Sequence, residues 1–283
     1  MAHVVIAVGV NAEGVPMQVV ILCGGQGTRI RDVADDIPKP MIPIGGRPIL
    51  WHIMKGFAHF GFKDFILCLG YKSNVIKRYF LDYHLAGADV TVDLRHPGEL
   101  QLHQHRCPED WRITLAETGA DAMTGARIKR ISKYITSDNF FVTYGDGVSD
   151  VNCQKLLDFH HHHGKLASVT VVAPPGRFGE IETDGATVTS FAEKPLESRG
   201  LINGGYFVFR KEVLARLSDD EHLVLEHEPL LHLTDDGQLA AFKHRGFWQC
   251  MDSSRDHKYL NDLWHQGQPA WRVWEPPARL RAA

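Results

Sequence analysis

The sequence predicts an α/β protein: a mainly parallel mixed sheet with helices on both faces and an added β-hairpin region. Three observations predict it. Wholly apolar runs such as VVIL (19–22) and FILCLG (65–70) are strand-length and do not alternate, as expected of strands buried on both faces. Between them lie segments with apolar residues three and four apart, the helical period. In the second half, strand-like runs follow one another directly, with Asp184-Gly185 as a hairpin turn between two of them.

Taken in order, VVIL is the first strand and runs straight into GGQGTRI. Pro48 sits where a first helical turn tolerates it, and Ile49, Ile53, Phe57 and Phe60 mark a helix behind it. FILCLG is the next strand, followed by a helix over about 74–85 and strands near 90–94 and 111–116. ARIKRISKYI reads as a basic amphipathic helix leading into the strand FFVTYGDG (140–147). A helix over 152–163 and the strand ASVTVVA come next. The hairpin in GEIETDGATVTSFAEK and the strand GGYFVFR follow. A helix near 226–233, strands near 239–242 and 247–251, and a helix over 255–265 complete the pattern, and the Trp-, Pro- and Arg-rich end reads as a surface arm or oligomer contact. The organisation is an extension at 1–16, one domain over 17–274 and a tail at 275–283.

The 283 residues carry 31 Lys and Arg against 34 Asp and Glu, a net charge of -3. A protein that coats nucleic acid needs a basic surplus, so no nucleic-acid partner is expected. A chain 44% hydrophobic and 10% aromatic has enough apolar side chains for a folded core. Its 17 histidines are unusual, because protonating them would reverse the sign of the charge. The five cysteines are odd in number, scattered and without a C-x-x-C pair, which argues for a reducing cytoplasm and against a disulfide framework. No window approaches the ~20 apolar residues of a membrane span, and no membrane partner is expected.

The strongest chemical signal is Leu22-Cys23-Gly24-Gly25-Gln26-Gly27-Thr28-Arg29, a glycine loop set directly behind the first strand. Such loops bring backbone N–H groups close to an anion at the carboxyl ends of sheet strands. It is neither a P-loop, lacking Gly-Lys-Ser/Thr, nor a dinucleotide fingerprint, since Ile30 stands where the third glycine belongs. Arg29 adds a planar fork for phosphate oxygens, and Lys39 is a cation held between Pro38 and Pro40. Asp146, between Gly145 and Gly147 at a strand end, and Asp252, behind another late strand, are carboxylates suited to sharing a Mg²⁺ ion beside phosphates; each also reads as a helix cap or turn residue. Glu193-Lys194-Pro195 offers a hydroxyl acceptor and a phosphate cation, or a surface ion pair, and Asn203 stands beside two glycines. His160 to His163 read as a solvated, cationic helix end rather than a metal site.

On these residues the sequence resembles the sugar-1-phosphate nucleotidylyltransferases, most closely their cytidylyl branch, from Met17 to about Trp274. The likeness rests on the glycine loop, on Lys39 and on Glu193-Lys194-Pro195. It extends to RPILWHIMK, to Glu117-Thr118-Gly119, to Met123-Thr124-Gly125-Ala126-Arg127, to Pro175-Gly176-Arg177-Phe178-Gly179 and to Gly246-Phe247-Trp248-Gln249. Ala122, Ala126, Cys250 and Ser253 depart from the usual pattern. The resemblance implies a Rossmann-like fold of the nucleotide-diphospho-sugar transferase type and transfer from CTP to a sugar 1-phosphate, most simply glucose 1-phosphate. It also implies Mg²⁺ on Asp146 and Asp252, and a homo-oligomer, hexameric or otherwise. The nucleotide would lie on Leu22, Gly24, Gly25, Gln26, Gly27, Thr28, Arg29, Lys39, Thr124, Arg127 and Gly145. The sugar phosphate would lie on Gly179, Glu193, Lys194 and Asn203. Arg29, Lys39, Asp146, Lys194 and Asp252 would carry catalysis. Another base, another sugar, or a non-catalytic sugar-nucleotide sensor keeps the same motifs.

Overall fold

The computed structural model describes residues 16–27, 30, 33, 36–96, 99–103, 109–174, 180–192 and 200–275. The first apolar run forms β1 (Gln18–Leu22), buried along its whole length. A small antiparallel pair, β2 (Pro43–Ile44) and β3 (Arg47–Pro48), precedes α1 (Ile49–His59), β4 (Asp64–Leu69) and α2 (Ser73–Leu81). Next come β5 (Asp89–Val92), β6 (Leu100–His103), β7 (Arg112–Glu117) and α3 (Thr124–Arg130). Then follow β8 (Asn139–Tyr144), β9 (Gly147–Ser149), α4 (Cys153–His163) and β10 (Ala167–Val172). The hairpin of β11 (Glu180–Asp184) and β12 (Thr187–Ala192) leads to β13 (Ile202–Arg210), α5 (Glu228–Asp235), β14 (Leu239–His244), β15 (Trp248–Cys250) and α6 (Ser254–His265).

Seven strands form the central sheet in the order β14-β10-β13-β8-β1-β4-β7. Strands β8, β1, β4 and β7 pair in parallel, as do β10 and β14, and β13 is antiparallel to both its neighbours. The expected mainly parallel mixed sheet is therefore observed. Alternation within the strands divides the core in two. Val19, Ile21, Phe65, Leu67 and Phe141 pack with α1, α2, α4 and α6 on one face. Val20, Ile66, Phe140, Val142 and Phe207 pack with α3 and α5 on the other. Helices thus cover both faces, and each large apolar side chain buried between layers contributes about 1.5–3 kcal/mol of transfer free energy.

Several elements differ from the sequence reading for physical reasons. Helix α2 stops at Leu81 rather than about 85. The basic helix is α3 only as far as Arg130, after which residues 132–134 tighten into a 3₁₀ turn. The pair β5–β6 is exposed along most of both strands, so β6 carries no buried periodicity to announce it. The Trp-rich stretch behind α6 is not a surface arm up to Trp274. Trp271 is 1% exposed and donates from Nε1 to Nδ1 of His52 at 3.3 Å, while Trp264 and Trp274 pack their rings against the same imidazole. Nor is the histidine run wholly solvated. His161 and His162 are exposed, but His160 is completely buried between Ser168 Oγ at 2.9 Å and Asn139 Oδ1 at 3.2 Å. The extension at 1–15 and the tail from 276 lie outside the described residues.

Candidate active site

The site forms where the central parallel strands end. Strands β1 and β8 run side by side to Leu22 and Tyr144, and the N–H of Gly145 donates to the Leu22 carbonyl at 3.1 Å. The glycine loop therefore leaves the sheet beside the turn that carries Asp146. Gly24 has a steric reason to be glycine, since a Cβ there would stand 2.1 Å from the guanidinium carbon of Arg127. Gly27 has a conformational one, with φ at +59° and Lys39 Cβ 2.9 Å from where its own Cβ would be. The loop is thereby seated against the lysine.

Asp146 and Asp252 are brought together by a short ladder. Strand β9 begins one residue after Asp146 and pairs antiparallel with β15, with Gly147 opposite Cys250. The N–H of Met251 then donates to the Asp146 carbonyl at 2.8 Å. Asp252 is held further by the start of α6. Ser253 is its N-cap and forms a capping box with Asp256, whose Oδ2 also accepts from the N–H of Asp252 at 3.1 Å.

Lys39 stands between these two carboxylates. Its Nζ donates to Asp146 Oδ2 at 2.6 Å and to Asp252 Oδ1 at 2.5 Å, and its side chain is only 12% exposed. Burial alone would lower the pKa of this ammonium, but the two carboxylates outweigh that and raise it, so it stays charged. A cation held by two hard oxygens is the environment a divalent metal takes, and the two aspartates fit such an ion with its remaining positions left to phosphate and water. Among the described residues they belong to no larger group of His, Cys, Asp and Glu that could hold a metal.

These groups line a cavity of about 360 Å³ with Leu22, Gly24, Gly25, Gly27, Ile30, Thr124, Arg127, Tyr144 and Gly145. Its size suits a nucleotide. Of the residues the motifs single out, Leu22, Gly24, Gly25, Gly27, Lys39, Thr124, Arg127, Gly145, Asp146 and Asp252 line it together, whereas Gln26 does not. Arg127 converges in an unexpected way. Only 4% exposed, it donates from Nη1 to Leu69 O, Thr118 Oγ1 and Gly119 O, and from Nη2 to Gly24 O and Ala120 O, at 2.7–3.2 Å. Its fork ties the glycine loop to the loop behind β7. Asn203 lies at the margin, donating from Nδ2 to the Tyr144 hydroxyl at 3.2 Å. Thr28, Arg29, Gly179, Glu193 and Lys194 lie outside the described residues.

One group was not anticipated as part of the site. Glu226, read from the sequence as the start of a helix, precedes α5 and accepts from Thr124 Oγ1 at 2.7 Å and from the Tyr144 hydroxyl. Burial first, and the charge of Glu226 second, raise the Tyr144 pKa well above its ordinary value and keep the phenol protonated. The available signal was Pro229, which belongs in a first helical turn and so leaves Glu226 to the preceding loop.

Comparison with known proteins agrees with this geometry. The nucleotidyl transferase family model matches residues 18–253. The chain is 47% identical over 260 residues to the glucose-1-phosphate cytidylyltransferase of Salmonella typhi, covering 92% of this chain and all of that one. It is 43% identical over 258 residues to the probable glucose-1-phosphate cytidylyltransferase of Bacillus subtilis, covering 91% and 100%. Among solved structures, HddC from Yersinia pseudotuberculosis complexed with GMP-PN superimposes with a TM-score of 0.64 at 25% identity, covering 88% of this chain and 99% of that one. A glycine loop, a lysine and two aspartates thus meet at the ends of parallel strands, in a chain whose extended likeness is to enzymes of nucleotidyl transfer; this protein is a nucleotidyltransferase and belongs to the nucleotidyl transferase family.

Proposed function

We propose that the protein transfers a cytidylyl group from CTP to a sugar 1-phosphate, with α-D-glucose 1-phosphate as acceptor, giving CDP-glucose and pyrophosphate. The observation that carries the reading is the Lys39–Asp146–Asp252 cluster in a nucleotide-sized cavity walled by the glycine loop. The 47% identity to a glucose-1-phosphate cytidylyltransferase supports the choice of base and sugar.

In this reaction a phosphate oxygen of the sugar attacks the α-phosphorus, the new P–O bond forms, and the bond to the β-phosphate breaks with its electron pair leaving on pyrophosphate. A terminal phosphate carries roughly -1.5 to -2 charge near neutral pH, so the nucleophile is already ionised and no general base is needed. The chemical problem is repulsion between two anions, and catalysis is positioning and charge stabilisation. The glycine loop from Leu22 through Gln26 to Thr28 would supply backbone donors, and Lys39 and Arg29 would screen the triphosphate charge. Lys194 neutralises the incoming phosphate, while Glu193, Gly179 and Asn203 hold the sugar side. Asp146 and Asp252 would hold Mg²⁺, which would supply Lewis-acid stabilisation of the phosphate charge.

Incubation with Mg²⁺, the four nucleoside triphosphates and a panel of sugar 1-phosphates, read by mass spectrometry, tests the reading. CDP-glucose with an equal amount of pyrophosphate is expected. Products of another base or sugar, or none, reject it.

A further inference from the structure

The lining of the cavity is of two chemical kinds. Lys39, Asp146 and Asp252 are charged, whereas Ala122, Met123, Thr124 and Val224 carry no charge. A nucleotide is divided in the same way, polyanionic at its phosphates and uncharged at its base, so the base belongs against the uncharged wall, the base end. Arg127, the charged side chain nearby, is spent on the protein's own carbonyls. Thr124 is the one side-chain hydroxyl in that four-residue wall.

The single proton of this hydroxyl is committed. Thr124 Oγ1 donates to Glu226 Oε2 at 2.7 Å and accepts from the N–H of Leu225 at 2.8 Å. What remains for a ligand is a lone pair. The Tyr144 hydroxyl is committed likewise, donating to the other oxygen of the same carboxylate and accepting from Asn203. Glu226 does not itself line the cavity, yet it sets the hydrogen-bond polarity of two hydroxyls that do.

We propose that Glu226 is a positioning residue for base selection: by taking the protons of Thr124 and Tyr144 it leaves the base end of the cavity an acceptor, which favours a pyrimidine bearing an exocyclic amine over one bearing a carbonyl at the same place. The inference rests on the cytidylyl-transfer reading above. Cytosine offers its 4-amino group to such a surface. Uracil and thymine turn a carbonyl oxygen to it, leaving two acceptors face to face and both unpaired. Polar mismatch of this kind discriminates far better than the shape of an apolar pocket. The wall does not depend on Glu226 alone for its position, because Met123 N–H and Gly125 N–H donate to the carbonyls of Glu221 and Leu223 at 2.8 and 2.9 Å.

The test is steady-state kinetics with glucose 1-phosphate and either CTP or UTP. Glu226→Gln keeps the size of the side chain but can accept from only one of the two hydroxyls, so its amide donates to the other and frees the proton of Thr124 or of Tyr144 toward the cavity. The ratio of kcat/KM for CTP to that for UTP is expected to fall by at least about tenfold, through a higher KM for CTP and a lower one for UTP. Thr124→Val, which removes the hydroxyl at nearly constant volume, is expected to lower the ratio as well, and Thr124→Ser to retain it. A Glu226→Gln enzyme that slows with both nucleotides alike and keeps the wild-type ratio overturns the inference while leaving cytidylyl transfer standing. An unchanged ratio in Thr124→Val does the same should the first variant fail to fold. A wild-type protein that makes no CDP-sugar from CTP overturns the parent reading and this inference with it.

Discussion

Lys39 occupies the space between two carboxylates that a divalent ion would also use, and its ammonium is the charge that offsets them. A metal entering alone must compete with it, whereas a metal arriving with a triphosphate brings anions that draw the ammonium away. Replacing Lys39 by Met removes the competitor but keeps most of the apolar stem. Binding of Mn²⁺ without nucleotide, followed by its electron paramagnetic resonance signal, should tighten by about tenfold, a difference of about 1.4 kcal/mol that is modest for two partly buried carboxylates. Turnover should fall at least about a hundredfold, since the proposed function assigns the same ammonium to the triphosphate. Unchanged or weaker Mn²⁺ binding would show that the ammonium does not hold the cation position. At this scale the sequence was most legible where glycine or proline marks a constrained backbone, as at Gly24, Gly27, Lys39 and Asp146. It was least legible where function depends on a partner distant in sequence. The separation of 102 residues between Thr124 and Glu226 leaves no local pattern, and the five acceptors of Arg127 are mostly backbone oxygens, which carry no side-chain identity to read.

Helix α6 shows how an element's own stability and the geometry of the site are joined. Its capping box satisfies the N–H groups of Ser253 and Asp256, and the same Asp256 carboxylate fixes the backbone of Asp252 and receives Gln249 Nε2 at 3.2 Å. Ser253→Ala should therefore destabilise the fold by about 1 kcal/mol, measured by urea unfolding, and should also raise the divalent-ion concentration needed for half-maximal activity. A loss of stability with no change in the ion requirement would separate the cap from the site. Among the elements, β1, α1, β4, β8, α4 and α6 follow the sequence pattern because each buries one face or both. The start of α5 and the whole of β6 escaped it. In α5 a proline moved the boundary, and in β6 exposure removed the hydrophobic periodicity on which a strand is recognised.

For the molecule as a whole, the 17 histidines matter less as surface charge than as a limit on acid stability. His52, 1% exposed, and His160, fully buried, have pKa values lowered by burial from 6.5 to about 4 and about 3. Above pH 6.5 neither the folded nor the unfolded chain protonates these groups, and their contribution is complete. Below it, the unfolded chain binds protons that the folded chain refuses, so stability falls by about 1.4 kcal/mol per pH unit for each histidine until the folded values are reached. Between pH 6.5 and 5 the two together remove about 3 kcal/mol, and the urea midpoint at pH 5 should lie well below that at pH 7. His160→Gln should flatten this dependence; an unchanged slope would mean that His160 is not one of the groups responsible. Fold class was legible at this scale because parallel strands buried on both faces leave uninterrupted apolar runs. Which histidines enter the core was not, because a run of four on one helix looks alike until the sheet beneath it is known.

The site is also spread widely along the chain. Lys39 and Asp252 are 213 positions apart, and the ladder of β9 with β15 is what joins them. During synthesis from the N-terminus, the glycine loop, Lys39, the Thr124 wall and Asp146 all leave the ribosome well before Asp252 does. A nascent chain that has already formed its parallel strands thus holds most of a nucleotide cavity with only one of its two aspartates. The second carboxylate is the last of these groups to be synthesised, and the pairing of β15 with β9 is what carries it to the first.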